Sequence, residues 1–304
     1  MRIGIDLGGS KIEAVLLDSQ GQICHRLRVP TPQGRYEETI QSIVYLVKTM
    51  ESHPTVARPG VSVGVGIPGA LSTRTGLVKN ANSVCLIGHD LRGDLSRALA
   101  RPVRLANDAD CFTLSEATDG AAAGERVVFG VILGTGVGGG IAAAGQLLQG
   151  ANAITGEWGH NPLPWPTATE WPGTPCYCGR LGCIETFLSG PALSRQDFLL
   201  SGQQRSAAEI VAAAARGETT AEQSLACYED RLARGLASVI NLLDPDVVVL
   251  GGGLANVERL YINVPALWGR YVFSDWVATR LVKAQHGDSS GVRGAAWLWP
   301  EQSS

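Results

Sequence analysis

Cys176, Cys178 and Cys183 crowd into one short loop, and His160 lies just upstream in the run Glu157-Trp158-Gly159-His160. Three thiols and one imidazole make the donor set of tetrahedral zinc, and with all four positions supplied by protein such a site is structural rather than catalytic. The plainer readings are a disulfide, buried free cysteines, a core histidine or chance spacing. Gly179 and Gly182 let a short loop fold round an ion, whereas Cys24, Cys85, Cys111 and Cys227 are scattered singly. Seven cysteines in that pattern suit a reducing compartment and a metal. The expected role of the metal is to fix two flanking carboxylates, Glu157 and Glu185.

Asp6-Leu7-Gly8-Gly9-Ser10-Lys11 sets a carboxylate at a strand end, followed by glycines whose backbone N–H groups can approach a phosphate closely. Asp6 is then placed to orient a magnesium ion through water; the alternative is an ordinary hairpin turn. Gly134-Thr135-Gly136-Val137-Gly138-Gly139 matches the dinucleotide-binding pattern, which raises a nicotinamide dehydrogenase as a rival. That fingerprint must open a helix, but residues 140–145 read as a short strand bounded by turns, so a second phosphate hairpin fits better. Gly251-Gly252-Gly253 follows a buried strand, where three glycines form a turn and would also let a flat adenosine lie against backbone. Asn107-Asp108 falls where a strand runs into a helix. Either residue is an ordinary N-cap, and a carboxylate there also lies where α/β folds place ligands, able to accept the proton of an attacking hydroxyl.

Positioning these groups requires strands, expected at 2–7, 12–17, 23–29, 61–67, 103–106, 127–133, 140–144 and 247–250. Helices are expected at 36–50, from Asn107-Asp108 onward, at 221–243 with a stop at Asp244-Pro245, and at 291–298. Strands alternating with helices imply an α/β sheet, and two strand–turn–strand openings imply a duplicated architecture whose turns face a cleft. The expected divisions are an N-terminal domain at 1–110, a larger one at 111–288 and a final helix at 289–304 that packs back on a domain.

With 304 residues, 45% of them hydrophobic and 17% charged, the chain is long and apolar enough for two packed cores. A net charge of −3 with no run of like charges offers no footprint for nucleic acid or an anionic membrane surface, so the expected partner is a small molecule. No stretch reaches the roughly 18 apolar residues of a membrane span, and the N-terminus lacks the regions of a signal peptide. A cytoplasmic location is expected.

Taken together, the runs from Asp6 to Lys11, Asn107-Asp108-Ala109, Glu157-Trp158-Gly159-His160 and Cys176 through Cys183 to Glu185 resemble the ROK family (repressors, open reading frames, kinases) over essentially the whole chain. The resemblance implies the actin-like ATPase (ribonuclease H-like) fold, a hexose kinase using ATP and magnesium, a structural zinc and a homodimer. It implies Asp108 as the general base, with Asn82, Asn107, Glu157, His160 and Glu185 holding sugar hydroxyls. Phosphates would sit on Gly8, Gly9, Ser10 and Lys11 and on Gly134, Thr135, Gly136 and Gly138, and His160 would turn one ring nitrogen to zinc and the other to the sugar. Ser10 stands where threonine is usual, keeping the hydroxyl, and Asp110 stands where asparagine is frequent.

More narrowly, Lys79-Asn80-Ala81-Asn82-Ser83, Asn161-Pro162-Leu163-Pro164-Trp165 and His286-Gly287-Asp288-Ser289-Ser290-Gly291 look like the bacterial manno(fructo)kinases, which implies fructose as substrate. Glucose, mannose, N-acetylmannosamine and N-acetylglucosamine are the alternatives. A non-catalytic sugar sensor of the same family would carry a helix-turn-helix ahead of the first glycine turn, and a turn starting at Asp6 makes that unexpected.

Overall fold

A computed structural model describes residues 1–57, 60–81 and 83–299. The chain forms two compact units, each drawn from separate stretches: Met1–Gly124, Gly140–Thr155 and the residues from Gln285 onward make the first, Glu125–Gly139 and Gly156–Ala284 the second. These limits differ from the boundaries expected at 110 and 288, and one of them falls inside a strand, where no change of composition marks it.

In the first unit β1 (Arg2–Leu7), β2 (Lys11–Leu17) and β3 (Ile23–Pro30) form an antiparallel meander, and α1 (Tyr36–Glu51) leads to β4 (Ser62–Ile67), which returns parallel to β1. A short ribbon, β5 (Ala70–Leu71) and β6 (Val78–Lys79), precedes α2 (Leu91–Ala98), β7 (Val103–Asn107) and α3 (Asp108–Thr118). The sheet order is β3-β2-β1-β4-β7. Side chains alternate across a strand, so Ile3, Ile5 and Leu7 share one face of β1 and join Ile40, Ile43, Val47 and Met50 of α1 in the main core.

The second sheet repeats the scheme. β8 (Val127–Leu133) turns into β9 (Val137–Ala143), and the residues of β9 from Gly140 on, with β10 (Gln146–Leu147), count with the first unit; α4 (Glu185–Leu188), α5 (Gly190–Ser201), α6 (Ala207–Ala215) and α7 (Thr219–Leu243) follow in the second. Asp244 then takes a left-handed φ of 48° and ends α7 as expected, ahead of the wholly buried β11 (Val247–Gly251). α8 (Leu260–Trp268) and β12 (Arg280–Lys283) complete the order β10-β9-β8-β11-β12, with β11 parallel to both β8 and β12. Two sheets of the same order are the duplicated α/β architecture that the two glycine turns implied.

The last helix, α9 (Ser290–Trp297), belongs to the first unit, where it packs on α3, β1 and β4. It lies directly on backbone. A Cβ at Gly4 would come within 2.0 Å of the Val292 carbonyl oxygen, and one at Gly294 within 1.6 Å of that of Cys111. Only glycine permits so close an approach. Where the chain enters this segment, the buried Glu116 carboxylate accepts the N–H groups of Gln285 and His286 and the Ser290 hydroxyl.

Candidate active site

In the first unit the β1–β2 turn is held through its carbonyl groups. Thr31 donates from Oγ1 to Gly8 O (2.7 Å) and from its N–H to Ser10 O (3.0 Å), and Gln33 Nε2 donates to Gly9 O (3.2 Å). The N–H groups of Gly9 and Ser10 have no acceptor among the described residues, which leaves two backbone donors for an anion. Lys11 begins β2 with its side chain exposed.

Asp6 ends the same strand. Burial, then the nearby Asp108 and Glu13 carboxylates, push it up to about 6, with Lys11 opposing. Carboxylates that disfavour one another's ionisation are relieved by a cation, so the donor set suits magnesium, with Asp6 as the residue to hold it. Asn107 caps α3: its Oδ1 accepts the Ala109 N–H (2.8 Å) and its Nδ2 donates to the Gly69 carbonyl (3.0 Å). Asp108 Oδ1 shares the Ala109 N–H at 2.8 Å, and the residue is exposed at the junction of β7 and α3. Asp110, two residues on, points roughly 200° away round the helix. Asn82 lies outside the described residues.

In the second unit the ring of His160 and the three sulfur atoms bring one donor atom each within 4.8 Å of all the others. His160 Nδ1 is 3.6 Å from Cys176 Sγ, and Cys178 Sγ is 3.6 Å from Cys183 Sγ. A disulfide needs about 2.05 Å, whereas two ligands of one tetrahedral zinc stand roughly 3.7 Å apart at the usual Zn–S length. The donors therefore fit zinc and exclude a bridge. Burial pushes the Cys183 thiol up to about 12, so thiolates here require a cation among them. The cluster is assembled by backbone: Leu163 N–H donates to Gly182 O (2.9 Å) and Ile184 N–H to Asn161 O (2.8 Å), stitching the His160 segment to the cysteine loop.

Glu157 precedes this segment, exposed and with no partner among the described residues. Glu185 opens α4 immediately after the loop, and its Oε2 accepts the Val137 N–H of the β8–β9 turn at 2.9 Å. That turn is tighter than expected. Gly134 N–H donates to Gly136 O (3.0 Å), the N–H groups of Thr135 and Gly136 have no acceptor among the described residues, and Gly138 already stands in β9 with its carbonyl bonded to the Trp158 indole (3.2 Å). Beyond β11, Gly252 takes φ 81°, where a Cβ would lie 2.5 Å from Leu133 O, while a Cβ on Gly253 would meet nothing within 4 Å. A bare, open strip of backbone follows the buried strand.

The family model described as the ROK family matches residues 2–302. The chain belongs to the ROK family. It is 39% identical over 302 residues to an N-acetyl-D-glucosamine kinase of Yersinia pseudotuberculosis serotype O:1b (strain IP 31758), covering 98% of each chain. Among solved structures it is similar to a ROK hexokinase from Thermus thermophilus, with TM-score 0.84, 32% identity and 97% and 96% of the two chains covered. A ROK family glucokinase from Streptomyces griseus in complex with glucose and AMPPNP gives TM-score 0.76 at 28% identity, with 98% of both chains covered. The fold of this ROK protein is accordingly the actin-like ATPase fold, built on its two like-ordered sheets.

Two residues of this ROK protein were not legible from spacing. Tyr177, between two of the cysteines, places its hydroxyl 2.9 Å from His160 Nε2, so the nitrogen expected to face a sugar already has a partner. Val137 enters through its N–H alone, a group that every residue but proline carries.

Proposed function

We propose that this ROK protein is an ATP-dependent sugar kinase whose substrate is N-acetyl-D-glucosamine. The observation that carries the kinase reading is the pair of like-built turns, each with two free backbone donors: Gly9 and Ser10 in one unit, Thr135 and Gly136 in the other. Phosphoryl transfer is largely positioning and charge neutralisation, which such donors provide. Magnesium, when bound at Asp6, supplies further neutralisation of phosphate charge. Lys11 adds a cation beside the first turn, Gly134 and Gly138 shape the second, and the exposed Gly252 and Gly253, just past the buried Gly251, receive adenosine.

Asp108 accepts the proton of the attacking sugar hydroxyl late in the transfer. Asn82, Asn107, Glu157, His160 and Glu185 orient the hydroxyls, His160 doing so only if Tyr177 gives up its hold on Nε2. Zinc, bound by His160, Cys176, Cys178 and Cys183, keeps the carboxylate-bearing segments in place and takes no part in the chemistry. The choice of sugar rests on the 39% identity to an N-acetyl-D-glucosamine kinase along 98% of the chain. Fructose, drawn from three short runs, is the second candidate. A cytoplasmic homodimer completes the reading, in keeping with seven free cysteines.

The test is ADP release with N-acetyl-D-glucosamine, fructose, mannose, glucose and N-acetylmannosamine. The highest kcat/KM is expected with N-acetyl-D-glucosamine. Preference for fructose overturns the sugar assignment, and turnover of none of them overturns the kinase reading.

A further inference from the structure

The second unit holds a cavity of about 290 Å³ lined by Trp171, Thr174, Thr186, Arg195, Gln196 and Arg231, among others. No residue of the glycine turns or of the zinc ligand set lines it; its walls come from residues 169–174, α4, α5 and Arg231 of α7. Its charges are unbalanced. Arg195 has no carboxylate partner among the described residues, and its guanidinium donates only to the backbone carbonyl of Thr186. Arg231 gives its Nε to Glu170 Oε1 at 2.8 Å, but that carboxylate is already gripped by both Nη atoms of Arg234, at 2.9 and 2.8 Å. Arg234 also has Asp230 at 2.9 Å, so Arg231 and Arg234 are matched by two carboxylates, and Arg195 is the one left without. Arg195 is exposed overall, yet partial burial and then the Arg231 charge hold it below its usual range, and an anion between the two would offset this.

The remaining lining specifies more than charge. The Thr174 hydroxyl and the Gln196 amide are suited to a polyol, the Thr186 hydroxyl, which donates to Cys183 O (2.7 Å), can still accept, and the Trp171 ring, 73% exposed, offers a flat apolar wall of the kind that sugars stack on. Arg231 is held over the Phe187 ring at 5.2 Å, which fixes its guanidinium at the cavity wall. Two guanidinium groups lining one cavity match the several oxygens of a phosphate monoester.

We propose that this cavity is a binding site for a small phosphorylated sugar, a hexose 6-phosphate being the size and charge it fits. Arg195 and Arg231 take the phosphate and Trp171 covers the sugar ring. Because Arg195 then leaves the carbonyl of Thr186, the residue after Glu185, occupancy is transmitted to α4. The proposal does not depend on which sugar the protein phosphorylates.

The experiment is calorimetric titration of the zinc-loaded protein, its nucleotide and sugar sites first saturated with a non-hydrolysable ATP analogue and with whichever sugar gives the highest kcat/KM. Glucose 6-phosphate, N-acetylglucosamine 6-phosphate and inorganic phosphate are titrated in turn, and Trp fluorescence is followed in wild type and Trp171→Phe. One further binding event per chain is expected for a hexose 6-phosphate, weakened tenfold or more by Arg195→Ala, with a fluorescence change that Trp171→Phe abolishes. Absence of that event in wild type overturns the proposal, as does full retention in Arg195→Ala. Equal binding of inorganic phosphate overturns the sugar-phosphate assignment.

Discussion

The Glu185 carboxylate and the Val137 N–H are joined by a 2.9 Å hydrogen bond, which ties the residue after the zinc loop to a glycine turn. A Cβ on Gly136 would come within 2.7 Å of the same carboxylate. Gly136→Val is therefore expected to displace Glu185 as well as crowd the turn, so nucleotide and sugar affinity fall together. Loss of one charge-assisted hydrogen bond is worth about 1.5–3 kcal/mol, a weakening of tenfold or more for each ligand. Separate titrations of nucleotide and sugar check this; an effect on nucleotide alone would show that Glu185 does not link them.

Asp108→Asn is expected to leave both ligands bound and to lower kcat by roughly 10² to 10⁴, the usual cost of losing a general base. The Asn107 cap survives this change, because its own Oδ1 holds the Ala109 N–H. Asp110→Asn, on another face of α3, should be far milder. Turnover near wild type in the Asp108 variant would reduce that residue to a partner of Ala109.

Asp6 sets a pH dependence. Its folded value, about 6, lies above the usual 3.8, so the folded chain holds this proton more tightly than the unfolded one. Its contribution to stability is complete at low pH and is lost as pH rises from 3.8 through about 6. Magnesium competes with that proton, so apparent magnesium affinity should rise over the same window and level off above it. Magnesium titrations from pH 5 to 8 on wild type and Asp6→Asn test this, and identical profiles would remove Asp6 from the metal's surroundings.

The purified protein is expected to carry about one zinc per chain, since all four ligand positions are filled by protein. Acid or a strong chelator should release it, because the thiolates take up protons. Loss of zinc, or Cys178→Ser, frees the start of α4, and through Glu185 the disturbance reaches Val137. Sugar and nucleotide affinity should both drop. Zinc-free wild type, or a variant with unchanged affinities, would detach the metal from either site.

The parts legible in the sequence were those with a local signature. The glycine turns, the cysteine loop, the α7 stop at Asp244-Pro245, the apolar spacing in β1 and the continuous apolar run of β8 all rest on neighbouring residues. Helices α2, α4, α5, α6 and α8 escaped notice: α2 and α4 are short, α5 opens on Gly190-Pro191, α6 is mostly alanine, and α8 carries Pro265 in its interior. β12 is only four residues long. The Glu185–Val137 bond and the Tyr177–His160 contact join groups 48 and 17 residues apart, through a backbone amide and an exposed hydroxyl, and no spacing rule anticipates either.

The placement of α9 orders events during synthesis. The sheet of β1 and β4 and helix α3 are made early, yet the helix that covers them spans Ser290–Trp297. While the ribosome is still working, Val15 and Leu17 lack Val292 and Ala296, their partners in the small cluster beneath that helix. The first unit therefore closes after the second has been translated, and a nascent chain shows an open apolar face until α9 emerges. A chain stopped at Ala284 keeps the second unit whole, so it is expected to bind a hydrophobic dye and to lose amide-exchange protection in β1 and β4 alone, whereas full protection of those strands would mean that the sheet seals without its last helix.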